Sequence, residues 1–182
     1  MLVRKVTDWY DTELMANGQV NKVSLFVDNK RFALTGAAKN EGDTNMTQSG
    51  QLGYPLEFDL IGFLFEVQRG ATRTAHNNIY NRTVWKWYFG QNVPWLRNKL
   101  TKMPEGIGPF GSVSVGAAAG EASIIANGVG QVTNFYNFTT PDRKARRISS
   151  TESFRNDLEF GQAVVLGSGV TLRVTTFMLG IL

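Results

Sequence analysis

Side chains able to do acid–base or metal chemistry are few in this sequence. It contains one histidine, His76, and no cysteine. His76 lies in a polar stretch, residues 74–78, where no partner that would make it a base or a metal ligand is visible. A chain without cysteine has neither a disulfide framework nor a cysteine-based zinc site. These counts argue against nucleophilic and metal-dependent catalysis.

Two pairs of carboxylates have a spacing that a catalytic or metal site could use. Glu57 and Asp59 would lie about 7 Å apart on one face of a strand, whereas a glycosidase needs two carboxylates across a cleft. Glu41 and Asp43 lie in a glycine-rich stretch that could hold calcium, but it lacks the dense ligand run of an EF-hand. We therefore predict no catalytic, cofactor-binding or metal-binding residues, no specific small-molecule substrate and no enzymatic activity.

Aromatic side chains are the clearest hint of recognition. The segment Ile79–Phe89 carries five of them, and Trp85 and Trp87 fall on the same side of a strand. Such a strand most often belongs to a core or a subunit interface, but exposed Trp and Tyr also stack on sugars or bases. Near the N-terminus, aromatic residues could dock onto the body or reach a neighbouring subunit. The candidates for an interface or for ligand stacking are Trp9, Tyr10, Trp85, Trp87, Trp95 and Phe177.

Basic residues are only slightly in excess. The chain has 19 Lys and Arg against 15 Asp and Glu, a formal net charge of +4, which is mild for a dedicated nucleic-acid binder. One compact basic stretch has two interpretations. It is either part of a solvated loop or strand start, or a surface that contacts phosphate, lipid headgroups or an acidic partner. Its members, our candidates for a basic contact face, are Arg143, Lys144, Arg146 and Arg147.

Hydrophobic alternation with closely spaced turn signals predicts an all-β chain of eight or nine strands. Two short helices are expected, at Asp8–Met15 and Pro94–Lys102. A hairpin is expected over residues 19–35 with its turn at Asp28–Lys30, followed by a long loop over residues 36–53. A last hairpin turn is expected at Gly167–Gly169. The further predicted strands are Leu56–Val67, Ile79–Phe89, Ser112–Val115, Val129–Phe138, Arg146–Ser149, Phe154–Phe160, Ala163–Leu166 and Val170–Leu182.

The length of 182 residues suits one domain. We predict an N-terminal arm, residues 1–18, and a single jelly-roll β-sandwich or barrel, residues 19–182. We expect neither a secretion signal nor a membrane-spanning helix. The apolar strand Val170–Leu182 must be central in a sheet or pair with another chain, because an uncovered apolar strand aggregates. Charged residues make up only 19% of the chain, which favours a subunit whose sides are covered in an assembly.

The N-terminal arm, the Asn-, Thr- and Gly-rich loops, and the closing strands Phe154–Phe160 and Leu172–Leu182 resemble a known family. The family is that of the single jelly-roll major capsid proteins of tailless icosahedral phages with an internal membrane. The resemblance is greatest to the smaller coat protein of the two-coat-protein type. The resemblance implies a capsid subunit in the virion, made in the host cytoplasm, that forms homo-oligomers. It also implies a second capsid protein and the viral membrane surface as partners. A carbohydrate-binding, lectin-like or receptor-binding β-sandwich is the alternative.

Overall fold

The computed structural model describes residues 6–67, 79, 81–90, 92–100, 112–114, 123–125, 136–137 and 146–182. These residues form nine strands: β1 Val6–Leu25, β2 Glu57–Val67, β3 Thr83–Phe89, β4 Leu96–Lys99, β5 Ser112–Ser114, β6 Ser123–Ile125, β7 Tyr136–Asn137, β8 Arg146–Ser149 and β9 Phe154–Ile181. Seven form one antiparallel sheet, and β5 pairs with β6 in a second. The predicted fold class, an all-β jelly-roll β-sandwich of about eight strands, is confirmed. Among the described residues there is no helix long and apolar enough to cross a membrane.

Strand β9 organises the main sheet. It is 28 residues long and is flanked by β1 along most of that length. On its other side the first part, residues 154–160, pairs with β3, and the last part, residues 174–181, pairs with β2. The apolar strand predicted over residues 170–182 is therefore central in the sheet, between β1 and β2. The sheet thus has two halves, a β3 half and a β2 half, that share one strand.

The two halves pack face to face through aromatic side chains. Phe63 of β2 stacks on Trp87 of β3 with ring centroids 4.3 Å apart, and it meets Trp85 edge-on at 5.4 Å. Alternation along β3 buries Trp85, Trp87 and Phe89 on the inner side. Leu158 and Met178, from the two parts of β9, are also fully buried. The core therefore lies between the halves, as the period-two pattern of an antiparallel sandwich requires.

Strand β2 changes its buried side midway. Its register with β9 shifts between Leu60 and Gly62, which is the signature of a β-bulge. An inserted residue reverses which side chains point inward. Phe58 and Leu60 before the shift and Phe63 and Phe65 after it are consequently all fully buried. Strict alternation along the predicted strand Leu56–Val67 would instead keep the same two faces over its whole length.

Several local predictions are wrong. Asp8–Met15 is not helical but lies in β1, and Pro94–Lys102 contains the strand β4, paired with residues 84–87 of β3. Residues 31–35 do not pair with 20–27, although Asp28 does form a turn by accepting the N–H groups of residues 30 and 31. Gly167–Gly169 does not end a hairpin, because β9 continues through it. The register with β1 shifts at this point: Ala16 pairs with Thr171, and the next pair is Gly18 with Leu166. Strand β9 therefore has more unpaired residues here than β1.

Candidate functional site

The long loop, residues 26–56, is fastened to β1 by buried charges. Asp11 of β1 binds Lys39 of the loop at 2.8 Å, and both side chains are only 1% exposed. The second carboxylate oxygen of Asp11 accepts the backbone N–H of Phe26 at 2.6 Å. Phe26 has a φ of 64°, a conformation that is unfavourable for a bulky residue. Asp11 therefore holds both the start and the middle of the loop against the sheet.

Glu13, two residues after Asp11 on the same face of β1, binds the backbone of the loop. Its carboxylate is 1% exposed and accepts the N–H groups of Ala33 and Leu34 at 3.0 and 3.2 Å. Burial raises the pKa of both Asp11 and Glu13, against the opposing effect of these hydrogen bonds and of Lys39. The folded protein thus holds protons on these carboxyl groups more readily than the unfolded chain does.

Replacing Glu13 with glutamine is expected to change how stability depends on pH. A raised pKa in the folded state stabilises the fold most below the ordinary value of 4.5, and that contribution is lost as the pH rises through the folded pKa. The free energy of unfolding of the wild type, minus that of Glu13→Gln, should therefore increase as the pH falls from 7 toward 4.5. Urea denaturation at a series of pH values measures this difference.

Asp28→Asn provides a control of opposite sign. Hydrogen bonds from the N–H groups of Lys30 and Arg31 lower the pKa of Asp28. Its stabilising contribution is present above the ordinary value of 3.8 and is lost as the pH falls through the lowered folded pKa. The difference between wild type and Asp28→Asn should shrink over that acidic range. Equal slopes for the two variants would contradict our assignment for Glu13.

The predicted basic face is partly described, and its two described arginines are both paired with acids. Arg146 forms an ion pair with Glu152, and its guanidinium lies 4.8 Å from the ring centroid of Phe89. Arg147 lies 3.0 Å from Asp59 and 3.4 Å from Glu57. Two further predicted members lie outside the described residues: Arg143 and Lys144. A contact to lipid or phosphate through this stretch stays a prediction.

The other sequence-derived sites are dispersed. Glu57 and Asp59, considered above as a possible acid–base pair, converge on the single guanidinium of Arg147. Asp43 is buried and forms an ion pair with Arg173. Within the described part of the chain no three Asp, Glu or His side chains are grouped so as to hold a metal ion. His76 falls outside the described residues.

Three of the aromatic candidates lie inside the molecule. Trp85 and Trp87 are fully buried, and Trp9 is 8% exposed. Their rings contribute to the core and offer no surface on which a ligand could stack. Trp95, by contrast, is 42% exposed. It lies edge-on to Phe89 with centroids 5.4 Å apart, beside the strand β4.

The structure brings the remaining two candidates together on the outer face of the β2 half. Tyr10 of β1 and Phe177 of β9 are directly opposite in register, with ring centroids 5.8 Å apart. The Tyr10 hydroxyl donates a hydrogen bond to the backbone carbonyl of Glu41 at 2.5 Å. Burial, followed by the charge of nearby carboxylates, raises the pKa of Tyr10, which further favours the neutral phenol that donates this hydrogen bond.

These two rings belong to a surface groove of about 370 Å³. Its lining residues are Tyr10, Thr12, Gly42, Glu66, Arg173, Thr175 and Phe177. The polar members of this lining were not among the residues predicted from the sequence. The available signal was the alternation of Arg173, Thr175 and Phe177 on one face of β9, but only the pairing with β1 and β2 shows which residues join them.

The fold thus defines the class of this chain as an antiparallel β-sandwich with a fastened loop and an outer groove. A scan of protein-family models found no match, and searches of curated proteins and of solved structures found none either.

Proposed function

We propose that this chain is a structural subunit of a viral capsid, which assembles through contacts with further copies of itself. The proposal extends to the family named above, the single jelly-roll coat proteins of internal-membrane phages. Its location is then the virion, after synthesis in the host cytoplasm. A second coat protein and the viral membrane surface are the further partners that this proposal includes.

A rigid sandwich supports a role as a building block. Both halves of the main sheet share β9, and the longest described loop is fixed by the buried pair of Asp11 and Lys39. Rigid, pre-formed surfaces lose little conformational entropy when they associate. A subunit of this construction can form many repeated contacts without first ordering its own loops.

The single observation that carries the proposal is the exposed tryptophan beside the edge of the sheet. Trp95 packs against the ring of Phe89 and against the guanidinium of Arg146, which lies 5.6 Å from the Trp95 ring centroid. Val93, two residues earlier, is 71% exposed. Tryptophan and arginine are the residues that most often dominate the energy of protein interfaces. A tryptophan that is already positioned and still accessible is therefore suited to anchor a neighbouring subunit.

The neighbouring strand indicates what kind of contact is formed. Among the described strands β4 pairs only with β3, and its exposed residues Arg97 and Lys99 are both basic. Positive charges on an edge oppose its pairing with the identical edge of a second copy. We therefore propose contact through the Trp95 side chain rather than through continuous strand pairing.

The test is the oligomeric state of the wild type and of Trp95→Ala. Light scattering coupled to size-exclusion chromatography, over a range of salt, pH and protein concentration, should show dimers or larger wild-type species. Negative-stain imaging should show that the largest of them curve toward closed shells. Trp95→Ala should move the distribution toward monomer.

Val165→Ala is the matched control, because Val165 is 63% exposed but lies on β9 away from β4. It should assemble as the wild type does. A wild-type protein that stays monomeric under every condition would overturn the capsid proposal. Assembly that is equally strong in Trp95→Ala would overturn the role of Trp95.

The carbohydrate-binding alternative rests on the aromatic strand and on the Asn-rich loops. Within that strand the side chains of Trp85 and Trp87 are fully buried, so these two rings cannot stack on a sugar. The Asn-rich loops remain as its basis.

A further inference from the structure

The outer face of the β3 half concentrates positive charge. Alternation along β3 points Lys86 outward, because its neighbours Trp85 and Trp87 are buried. The pairing of β4 with β3, of β3 with β9 and of β9 with β1 continues this face across four strands. Its acidic members are Asp157 and Glu159 of β9. Six basic side chains surround them, and we call these the basic face: Lys22, Arg82, Lys86, Arg97, Lys99 and Arg155.

Both acids are already paired within the sheet, whereas half of the basic face is not. Glu159 lies 2.5 Å from Lys86. Asp157 is 1% exposed and lies 2.9 Å from Lys22 and 3.2 Å from Arg155, so two cations share one carboxylate. In the described part of the chain, the remaining members are exposed and have no acidic partner: Arg82, Arg97 and Lys99. The face therefore carries uncompensated positive charge.

The three unpaired cations follow one edge of the sheet. Arg97 and Lys99 are two residues apart on β4, a distance of about 7 Å along a strand. Lys99 is opposite Val84 of β3, and Arg82 precedes Val84 by two residues and lies beside Gly161 of β9. Steps of this size are close to the separation of successive phosphates in an extended single strand of nucleic acid. A phosphate backbone along this edge would therefore meet a cation at each step.

A cavity of about 330 Å³ adjoins the basic face, and we call it the loop cavity. Arg155 lines it together with Tyr88, and the Arg155 guanidinium lies 4.3 Å from the Tyr88 ring centroid. Phe26 and Val27 of the long loop add apolar surface, and none of the described lining residues is acidic. Nucleobases stack on guanidinium planes and on aromatic rings. The loop cavity therefore suits a flat ring such as one nucleobase.

Two amide side chains in the loop cavity are free to bind a ligand. Over the described residues, the side chains of Gln51 and Asn92 make no hydrogen bond within the protein. An amide both donates and accepts hydrogen bonds, and the edges of nucleobases do the same. One wall is fixed, because the N–H of Phe154 donates to the carbonyl of Gly50 at 2.7 Å. A pre-formed cavity loses little entropy on binding.

We propose that the basic face binds single-stranded nucleic acid. Its phosphates lie along Arg82, Lys99 and Arg97, and one base enters the loop cavity beside Arg155 and Tyr88. A lipid surface fits less well because it has no flat ring to place in the cavity, and a double helix keeps its bases paired and stacked. The inference does not rest on the proposed capsid function, since strand binding and assembly are measured separately.

Fluorescence anisotropy tests the proposal, with the intact protein titrated into a labelled oligothymidine of about 12 nucleotides. We expect a Kd of about 1–100 μM at about 50 mM salt, and weaker binding as the salt concentration rises, because phosphate contacts release counterions. Arg97→Gln should weaken binding about fivefold at low salt and reduce the slope of log affinity against log salt by about 0.7. Asn92→Ala should weaken binding and leave that slope unchanged, since it removes no charge.

Arg147→Gln is the matched control for Arg97→Gln. Arg147 is 62% exposed but lies on β8, which pairs with β2, so its replacement should leave strand binding unchanged. Circular dichroism of each variant establishes that its fold is kept. An equal loss of affinity in both arginine variants would overturn the assignment to the basic face.

The nature of the ligand is tested by two further probes. A duplex of the same length should bind more weakly than the single strand, and equally strong duplex binding would overturn the placement of a base in the loop cavity. Vesicles of equal parts phosphatidylcholine and phosphatidylserine distinguish a lipid surface. Binding to these vesicles without binding to the oligonucleotide would overturn the proposal. No anisotropy change at about 200 μM protein would overturn it as well.

Discussion

Replacing Lys39 with methionine is expected to lower the free energy of unfolding by about 3–5 kcal/mol. The side chains of Lys39 and Asp11 are each 1% exposed, so the substitution leaves a carboxylate inside the protein without its counter-charge. The loss should become smaller as the pH is lowered, because burial already raises the pKa of Asp11 and protonation removes the unpaired charge. Urea denaturation at neutral and acidic pH measures both effects.

The double variant Asp11→Asn with Lys39→Met separates the charge from the fold. It removes both members of the ion pair, so no buried charge is left unpaired, and part of the lost stability should return. We expect the double variant to be more stable than Lys39→Met alone at neutral pH. A loss below about 1 kcal/mol for the single variant, or a double variant less stable than the single, would contradict the proposed fastening of the loop.

Replacing Trp87 with alanine is expected to destabilise the protein by about 3–5 kcal/mol. Trp87 is fully buried, stacks on Phe63 from the opposite half of the sheet, and lies 5.5 Å from the ring centroid of Phe26. Its removal would leave a cavity where the two halves and the long loop meet. Thermal and chemical denaturation measure the loss, and Trp87→Phe, which keeps most of the ring contacts, should cost less.

Trp95→Ala is the control, because it makes the same substitution on the connection that follows the same strand. Trp95 is 42% exposed, so less apolar area returns to water and the expected loss is about 1 kcal/mol. The two tryptophans should thus separate two properties, with Trp87 affecting stability and Trp95 affecting assembly. Equal losses of stability would show that the assignment of core and surface is wrong.

The fold class could be predicted from the period-two pattern of apolar residues. The first half of strand β1 could not, for a physical reason. Its inward positions include Trp9 and Met15, which are apolar, and also Asp11 and Glu13, which are charged and yet buried. Charged residues at inward positions remove the alternation on which strand prediction depends. Their burial is possible only because Lys39 and loop N–H groups reach them, and those partners are distant in the sequence.

The continuity of β9 was hidden by its glycines. Gly167 and Gly169 flank a serine, a pattern typical of a tight turn. In the folded protein the register between β1 and β9 shifts there, and the strand takes up extra residues without reversing direction. Glycine is common both in turns and at such irregularities, so the local sequence alone does not distinguish the two outcomes.

The candidate groove was only half predictable. Tyr10, in the predicted N-terminal arm, and Phe177, in the predicted strand Val170–Leu182, stood out as aromatic residues. Glu66 and Arg173 are unremarkable in sequence. These residues become neighbours only because the register aligns Tyr10 with Phe177 and Thr175 with Glu66. Register between strands so far apart is set by the whole sheet, which no local pattern encodes.

The pairing of β1 with β9 has a consequence for the synthesis of the chain. The nearest paired residues of the two strands are Leu25 and Asn156, about 130 residues apart. A ribosome adding about 5–20 residues per second takes on the order of ten seconds to cover that distance. During this interval β1 has no β9 to pair with, and Met15, Val23 and Leu25, all fully buried later, remain uncovered by that strand. Strand β1 is therefore a segment of the nascent chain that needs protection from aggregation until β9 has been synthesised.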